Sequence, residues 1–188
     1  MATSTKEEQE EIFAEIDIPD YVNARMEGNT FIVRGRLGTL HKDLMKLPIA
    51  VDIKDKKLVI RPSGTRRKDL ALTNTAKSVI QSMIKGVEKG FTYKLKIVYA
   101  HFPISVKTKE KEVHVENYFG ERAPRVSHIA GDATKVNVIG EDVVVQGPSL
   151  EDVSQTAANI EFSTKLKGKD QRVFLDGLYI YSREEGMS

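Results

Sequence analysis

PSLEDVSQTAANIEFSTKLKGKDQRVFLDGLYIY, residues 148–181, reads as a capped amphipathic helix, a basic loop and a short strand. Ser149 is placed to accept a backbone hydrogen bond as N-cap, with Asp152 three residues on, where a negative charge suits the helix N-terminus. Leu150, Val153, Ala157, Ile160 and Thr164 follow at spacings of three and four and share one face. Beyond the helix, Lys165, Lys167, Lys169 and Arg172 surround Gly168 within eight residues. The apolar runs Val173-Phe174-Leu175 and Leu178-Tyr179-Ile180 are expected to pin the far end of this loop to a core. A short basic loop held at both ends by packed structure presents cations to phosphate.

The helix–loop–strand pattern has a counterpart upstream. PSGTRRKD, residues 62–69, is a basic loop before a helix whose apolar stripe reads Leu72, Ala76, Val79, Met83 and Val87, with Asp69 as a candidate cap. Gly90 ends that helix, and Phe91, Tyr93, Leu95 and Ile97 alternate with polar residues as a strand. Earlier still, residues 22–25 and 30–33 flank a Gly28-Asn29 turn, and residues 49–53 and 58–61 flank a turn at 54–56; both pairs read as hairpins. The whole order then repeats. At an offset of 82, Phe31 and Val33 match Val113 and Val115; at 85, Leu58 and Ile60 match Val143 and Val145; at 81, Thr75-Ala76 matches Thr156-Ala157. The drift in offset places insertions in loops, where extra length costs little. The expected fold class is α+β, with two duplicated domains, each a small antiparallel sheet covered by one helix. The expected division is an acidic arm over 1–17, a first repeat over 18–98, a second over 99–181 and a tail over 182–188.

Charge follows the repeats unevenly. The chain of 188 residues has a formal net charge of +2. Residues 1–20 hold one Lys against seven acids, residues 21–98 hold 17 cations against six acids, and residues 99–188 hold 11 against 14. The asymmetry points to a polyanion, with the first repeat as the broad electropositive surface. Cysteine is absent, which excludes disulfides, thiolate metal sites and cysteine nucleophiles. Neither a secretory leader nor a membrane span is expected, since no charged start leads into an apolar run and no stretch of about 18 apolar residues occurs.

The runs GFTYKLKIVYAHFPI (90–104), VENYFGERAPRV (115–126), QTAAN (155–159) and KGKDQRVFLDGLYI (167–180) resemble the large-subunit ribosomal protein six family, in its archaeal and eukaryotic branch. The likeness covers residues 16–181, with several motifs agreeing in order and spacing. It implies a two-domain product of internal duplication that binds large-subunit rRNA near the sarcin–ricin loop and the base of the lateral stalk, where translational GTPases dock. Its neighbours there would be other ribosomal proteins, its location the cytoplasmic ribosome, and it would have no catalysis, small-molecule substrate or cofactor. Two features depart from the family pattern. The acidic arm runs beyond the usual start near Asp17. The family also points to contacts from the second domain, whereas bulk charge favours the first.

Candidate RNA-binding residues follow from both arguments. Lys165, Lys167, Gly168, Lys169 and Arg172 form the main loop, in which lysines act as point charges, Arg172 offers bidentate bonds and Gly168 permits close backbone approach. Gly120 allows a tight turn, with Arg122 and Arg125 beyond it, and Phe119 reads as core. Arg66, Arg67 and Lys68 form a third group in the loop ahead of the first helix. Each cluster reads equally as a solvated surface loop on sequence alone. Gly35-Arg36-Leu37-Gly38 spells the GxxG of a KH loop, but a strand precedes it, so a strand turn is the better reading. The four histidines are scattered without acid-paired spacing, and no nucleotide-binding loop or nucleophile elbow occurs, so no metal site or enzyme is expected. The alternative to an RNA-binding protein is an interaction module that uses its sheet edges to pair with partner strands.

Overall fold

The computed structural model describes residues 14–45, 47–54, 56–64, 66–168, 170 and 172–187. Most of the acidic arm, and Lys169 of the basic loop, lie outside the described residues. Among the described residues the chain is α+β, with two α-helices and small antiparallel sheets in two repeats. The first repeat comprises β1 (Ala14–Asp17), β2 (Asn23–Glu27), β3 (Thr30–Gly35), β4 (Gly38–Asp43), β5 (Ile49–Lys54), β6 (Lys57–Pro62) and α1 (Arg67–Glu88). The second comprises β7 (Phe91–Val98), β8 (Ser105–Lys109), β9 (Glu112–Glu116), β10 (Arg125–His128), β11 (Lys135–Ile139), β12 (Asp142–Gly147), α2 (Leu150–Ser163) and β13 (Gly177–Glu185). Each repeat holds two sheets rather than the single one expected. The orders β1-β6-β5 and β2-β3-β4 recur as β7-β12-β11 and β8-β9-β10, with β13 added to the free edge of β7.

Register carries the duplication residue by residue. Val51 and Ile53 pair with Ile60 and Leu58, as Val136 and Val138 pair with Val145 and Val143. Ala24 opposite Val33 becomes Val106 opposite Val115. Because side chains alternate along a strand, these registers send Phe31, Val33, Leu58 and Ile60 into one core and Val113, Val115, Val143 and Val145 into the other. The helices match best at an offset of 80, one residue from the sequence alignment. Thr73, Ala76, Ile80 and Ile84 of α1 occupy the buried places of Val153, Thr156, Ile160 and Thr164. One residue turns a helix by 100°, so Val79, expected in the stripe, is only half-buried.

Three expected boundaries shift. Ala14–Asp17, assigned to the arm by its charge, forms β1 along β6, because Ala14 and Ile16 alternate inward over the acids that flank them. Strand β7, placed with the first repeat, pairs with β12 and β13 and packs Phe91, Leu95 and Ile97 into the second core. The tail from 182 continues β13 to Glu185, with a bulge between Ile180 and Ser182. GxxG is a hairpin: Gly35 ends β3, Gly38 begins β4, and they face each other.

The domains meet at the end of α1. A Cβ added at Gly86 would stand 2.0 Å from the Pro148 carbonyl oxygen, so α1 passes the entry to α2 with no room for a side chain. Lys42 reaches across to Glu151 at 2.6 Å, and Lys85 to Glu185 at 2.8 Å. Gly186 and Met187 donate backbone hydrogen bonds to the Gly90 and Lys89 carbonyls, fastening the segment after β13 to the link between the domains. Replacing Gly86 by Ala should therefore destabilise by about 1–3 kcal/mol, despite alanine's better helix propensity, since the obstructing atom is backbone. Thermal unfolding checks this, with about 2–4 °C lost per kcal/mol at this chain length.

Candidate nucleic-acid interface

The basic loop is built outward from two buried polar residues. Helix α2 starts as its sequence dictates, with Ser149 Oγ accepting from the Asp152 amide at 3.3 Å. It ends at Thr164, whose hydroxyl donates to the Glu161 carbonyl at 3.0 Å and accepts from the Leu178 amide at 3.0 Å. The Thr164 carbonyl accepts from the Tyr118 hydroxyl at 2.6 Å. At the other end, Asp176 is 1% exposed and receives the His101 amide at 3.2 Å and the His101 ring at 3.1 Å. Burial alone would raise the Asp176 carboxyl, but the hydrogen bonds from His101 and the Ala100 amide outweigh it and hold it below its ordinary value. Burial raises the Tyr118 phenol, which keeps it a donor. The loop thus leaves the domain at one buried hub and re-enters at another.

Between them, Lys165 and Lys167 are exposed and have no ion-pair partner among the described residues; Lys165 lies 5.7 Å from the Phe162 ring centroid. Gly168 takes φ +72°, a left-handed turn with open space around it. Arg172 folds back on Asp170, with Nη2 3.0 Å from Oδ2 and Nε 3.2 Å from Oδ1, which lowers the Asp170 carboxyl and raises the guanidinium. Val173 and Leu175 are exposed rather than pinned to the core. Leu178 alone of the expected return is fully buried, because Asp176 supplies the anchor.

The second candidate segment lies beside this loop. The chain turns through a 3₁₀ turn, Tyr118–Gly120, with positive φ at Asn117, Phe119 and Gly120. Tyr118, not Phe119, is the core residue, at 1% exposure. Arg122 is exposed and unpaired among the described residues. Arg125 sits 4.1 Å over the Tyr118 ring, grips Glu121 through Nε at 2.9 Å and Nη2 at 2.6 Å, and donates to the Ser163 carbonyl at 3.0 Å. It is a brace between this segment and α2 before it is a phosphate ligand. Arg125, Lys165 and Lys167 line one depression of about 400 Å³ with Phe162 and Val126.

The third candidate group is elsewhere. Arg67 and Lys68 are the first residues of α1, not loop, and Arg66 is the N-cap, its amide bound by Asp69 at 3.2 Å. A helix of 22 residues spans roughly 33 Å, so this group lies far from the interdomain end of α1. The fold does bring acids to the histidines: Asp176 meets His101 across 75 residues, and Glu112 meets His114 at 3.0 Å. Sequence spacing could not reveal the first pair, which tertiary structure makes; the second lies two residues apart on β9, where i and i+2 share a face, and was there to be read. Among the described residues no cluster of three or more His, Asp or Glu could hold a metal.

Comparison with known proteins fits this layout. The family model for ribosomal protein L6 matches residues 18–90 and 102–177, once per repeat. The chain belongs to the ribosomal protein L6 family. It is similar to large ribosomal subunit protein uL6 of Staphylothermus marinus, with 43% identity over 90% of this chain and 94% of the relative. The corresponding protein of Ignicoccus hospitalis is 42% identical, over 92% and 95%, and that of Methanothrix thermoacetophila 38%, over 93% and 98%. These likenesses place this L6 family member in the archaeal and eukaryotic branch.

The brace and the free lysines should separate on substitution. Arg125→Ala should cost about 1–3 kcal/mol at neutral pH, having lost a charged hydrogen-bond pair and a ring contact. Lys165→Ala and Lys167→Ala should stay within about 0.5 kcal/mol. The hydrogen bonds from Arg125 hold the Glu121 carboxyl below its ordinary value. That part of the stability is present above about pH 4.3 and is lost as the pH falls through the lowered value, so wild type and Arg125→Ala should converge in acid. Denaturant titrations from pH 7 to pH 3 check both statements.

Proposed function

We propose that this L6 family member is a structural, non-enzymatic component of the large ribosomal subunit. It binds large-subunit rRNA near the sarcin–ricin loop and the base of the lateral stalk, beside other ribosomal proteins, in the ribosome of the cytoplasm. Recognition is of phosphate and shape, since A-form grooves hide base edges and leave backbone and 2′-hydroxyls to be read. The observation that carries the reading is the pair of unpaired cations, Lys165 and Lys167, on a loop whose two ends are buried hubs. Residues 117–125 and 164–176 together hold six cations and three acids, a local excess within a half that is negative as a whole. Gly120, Arg122 and Arg172 belong to the same two segments and extend the surface, and Lys169 belongs to the second of them in sequence. Arg66, Arg67 and Lys68 add long-range attraction from the first domain.

A loop held at both ends is preorganised, so phosphate contact orders few additional groups. Replacing Lys165 and Lys167 together by Ala should weaken binding to a large-subunit rRNA transcript and lower the slope of log affinity against log salt by about 2. Replacing Arg66, Arg67 and Lys68 should cost less affinity. The measurement is affinity across a salt series for wild type and both variants. A larger loss from the 66–68 variant would move the principal anchor to the first domain.

A further inference from the structure

Three segments distant in sequence meet at one aromatic cluster whose role phosphate binding does not explain. The link between β7 and β8 brings His101 and Phe102, the 3₁₀ turn brings Phe119, and the basic loop brings Phe174. The His101 ring lies 6.1 Å from Phe119 and 5.5 Å from Phe174 between centroids, and Phe119 lies 5.9 Å from Phe174. Asn117 Nδ2 donates to the Pro103 carbonyl at 2.9 Å, tying the first two segments together. The Phe102 ring stands against Gly120, 3.6 Å from where a Cβ would be.

This cluster is not ordinary core. His101 and Phe102 keep 43% and 45% of their surface exposed. Asp176 holds the His101 ring in place from beneath with a buried carboxylate. Phe119 has φ +51° and ψ +30°, the left-handed region that costs a residue with a Cβ about 1–2 kcal/mol. Strain of this kind persists where surrounding structure enforces it, and it gathers at functional sites. Cations flank the cluster along the chain with acids among them: Arg122, exposed, follows Gly120 by two residues, and Arg172, paired with Asp170, precedes Phe174 by two. An apolar protein partner needs no such rim. A nucleic-acid base does, because every base has a stacking face and carries its phosphate with it.

We propose that Phe102, which follows His101 in the chain and stands against the turn at Gly120, is a stacking platform for an unpaired nucleobase of rRNA, a contact separate from the phosphate contacts of Lys165 and Lys167. The platform rests on the rRNA-binding reading above and adds the kind of RNA element it takes: a base turned out of a helix, in a loop, bulge or strand end. The platform lies on the link between β7 and β8 and the lysines on the loop between α2 and β13, and the two segments meet where His101 contacts Phe174 and Asp176.

The test uses the full chain and an in vitro transcribed large-subunit rRNA. Phe102→Ala should lower affinity by about 5- to 100-fold, the loss of one stacked base, with an unchanged salt slope because no phosphate contact goes. Phe102→Trp should retain affinity. Phe102→Leu, which keeps an apolar side chain without a ring, should lose it while melting as wild type does. In intact large subunits, short-wave ultraviolet crosslinking should attach a nucleotide to the peptide containing Phe102. Wild-type affinity in both Phe102→Ala and Phe102→Leu would overturn the platform, as would crosslinks from Phe102 to a protein only. A wild-type chain that binds the transcript without salt dependence would instead overturn the rRNA reading itself, so the two failures are distinct.

Discussion

The hydroxyl of Tyr118 is the tie on which the second domain's exposed surface depends. It donates to the carbonyl of buried Thr164, an acceptor at the C-terminus of α2 with no other partner among the described residues. Such a bond contributes only about 1 kcal/mol net, but leaving the carbonyl unmet costs about 1–3 kcal/mol. The same ring underlies Arg125 and meets Phe119 edge-on at 4.8 Å. One side chain therefore joins the 3₁₀ turn, the helix exit, the arginine brace and the aromatic cluster. What these parts share is position relative to Tyr118, so the cations inherit their placement from the core.

Duplication supplies the frame, and departure from it supplies the surface. In the first repeat, β3 and β4 are joined by two residues and α1 leads almost directly into the next strand. In the second, residues 117–124 separate β9 from β10, and residues 164–176 separate α2 from β13. Both insertions lie in the same domain and meet there. Loop length is cheap in entropy, and a rigid two-sheet scaffold holds the ends of each loop apart at fixed distances. Charge follows the same departure: the half that is negative as a whole concentrates cations where its loops lengthen.

Much of this was legible in the sequence. The strand registers were, because alternation of period 2 and repeated offsets constrain one another: Leu58 with Ile60 and Val143 with Val145 admit only one facing. The cap at Ser149 and the stripe of α2 were legible from local chemistry alone. The α1 face was misread by one residue because Val79 and Ile80 are both apolar, and only packing decides between them. Strand β7 went to the wrong repeat because a strand's partners are a matter of topology, to which its own pattern is silent. The bracing role of Arg125 was not legible, because spacing cannot show that Glu121, Tyr118 and Ser163 engage its guanidinium. The His101–Asp176 pair was invisible for the same reason, as the groups are 75 residues apart.

Strand β13 gives the second domain a direction in time. It closes the edge of β7, yet it is synthesised more than 70 residues after β7, once every other strand of its sheet exists. During elongation the first domain can complete its core from contiguous chain, while the second waits with one edge open. The basic loop precedes β13, and its far end is fixed once Asp176 meets His101 and β13 pairs with β7. Until then its lysines sit on a segment fixed only at the helix end, and the geometry of the loop arises last. Maturation of the fold and readiness for assembly become the same event.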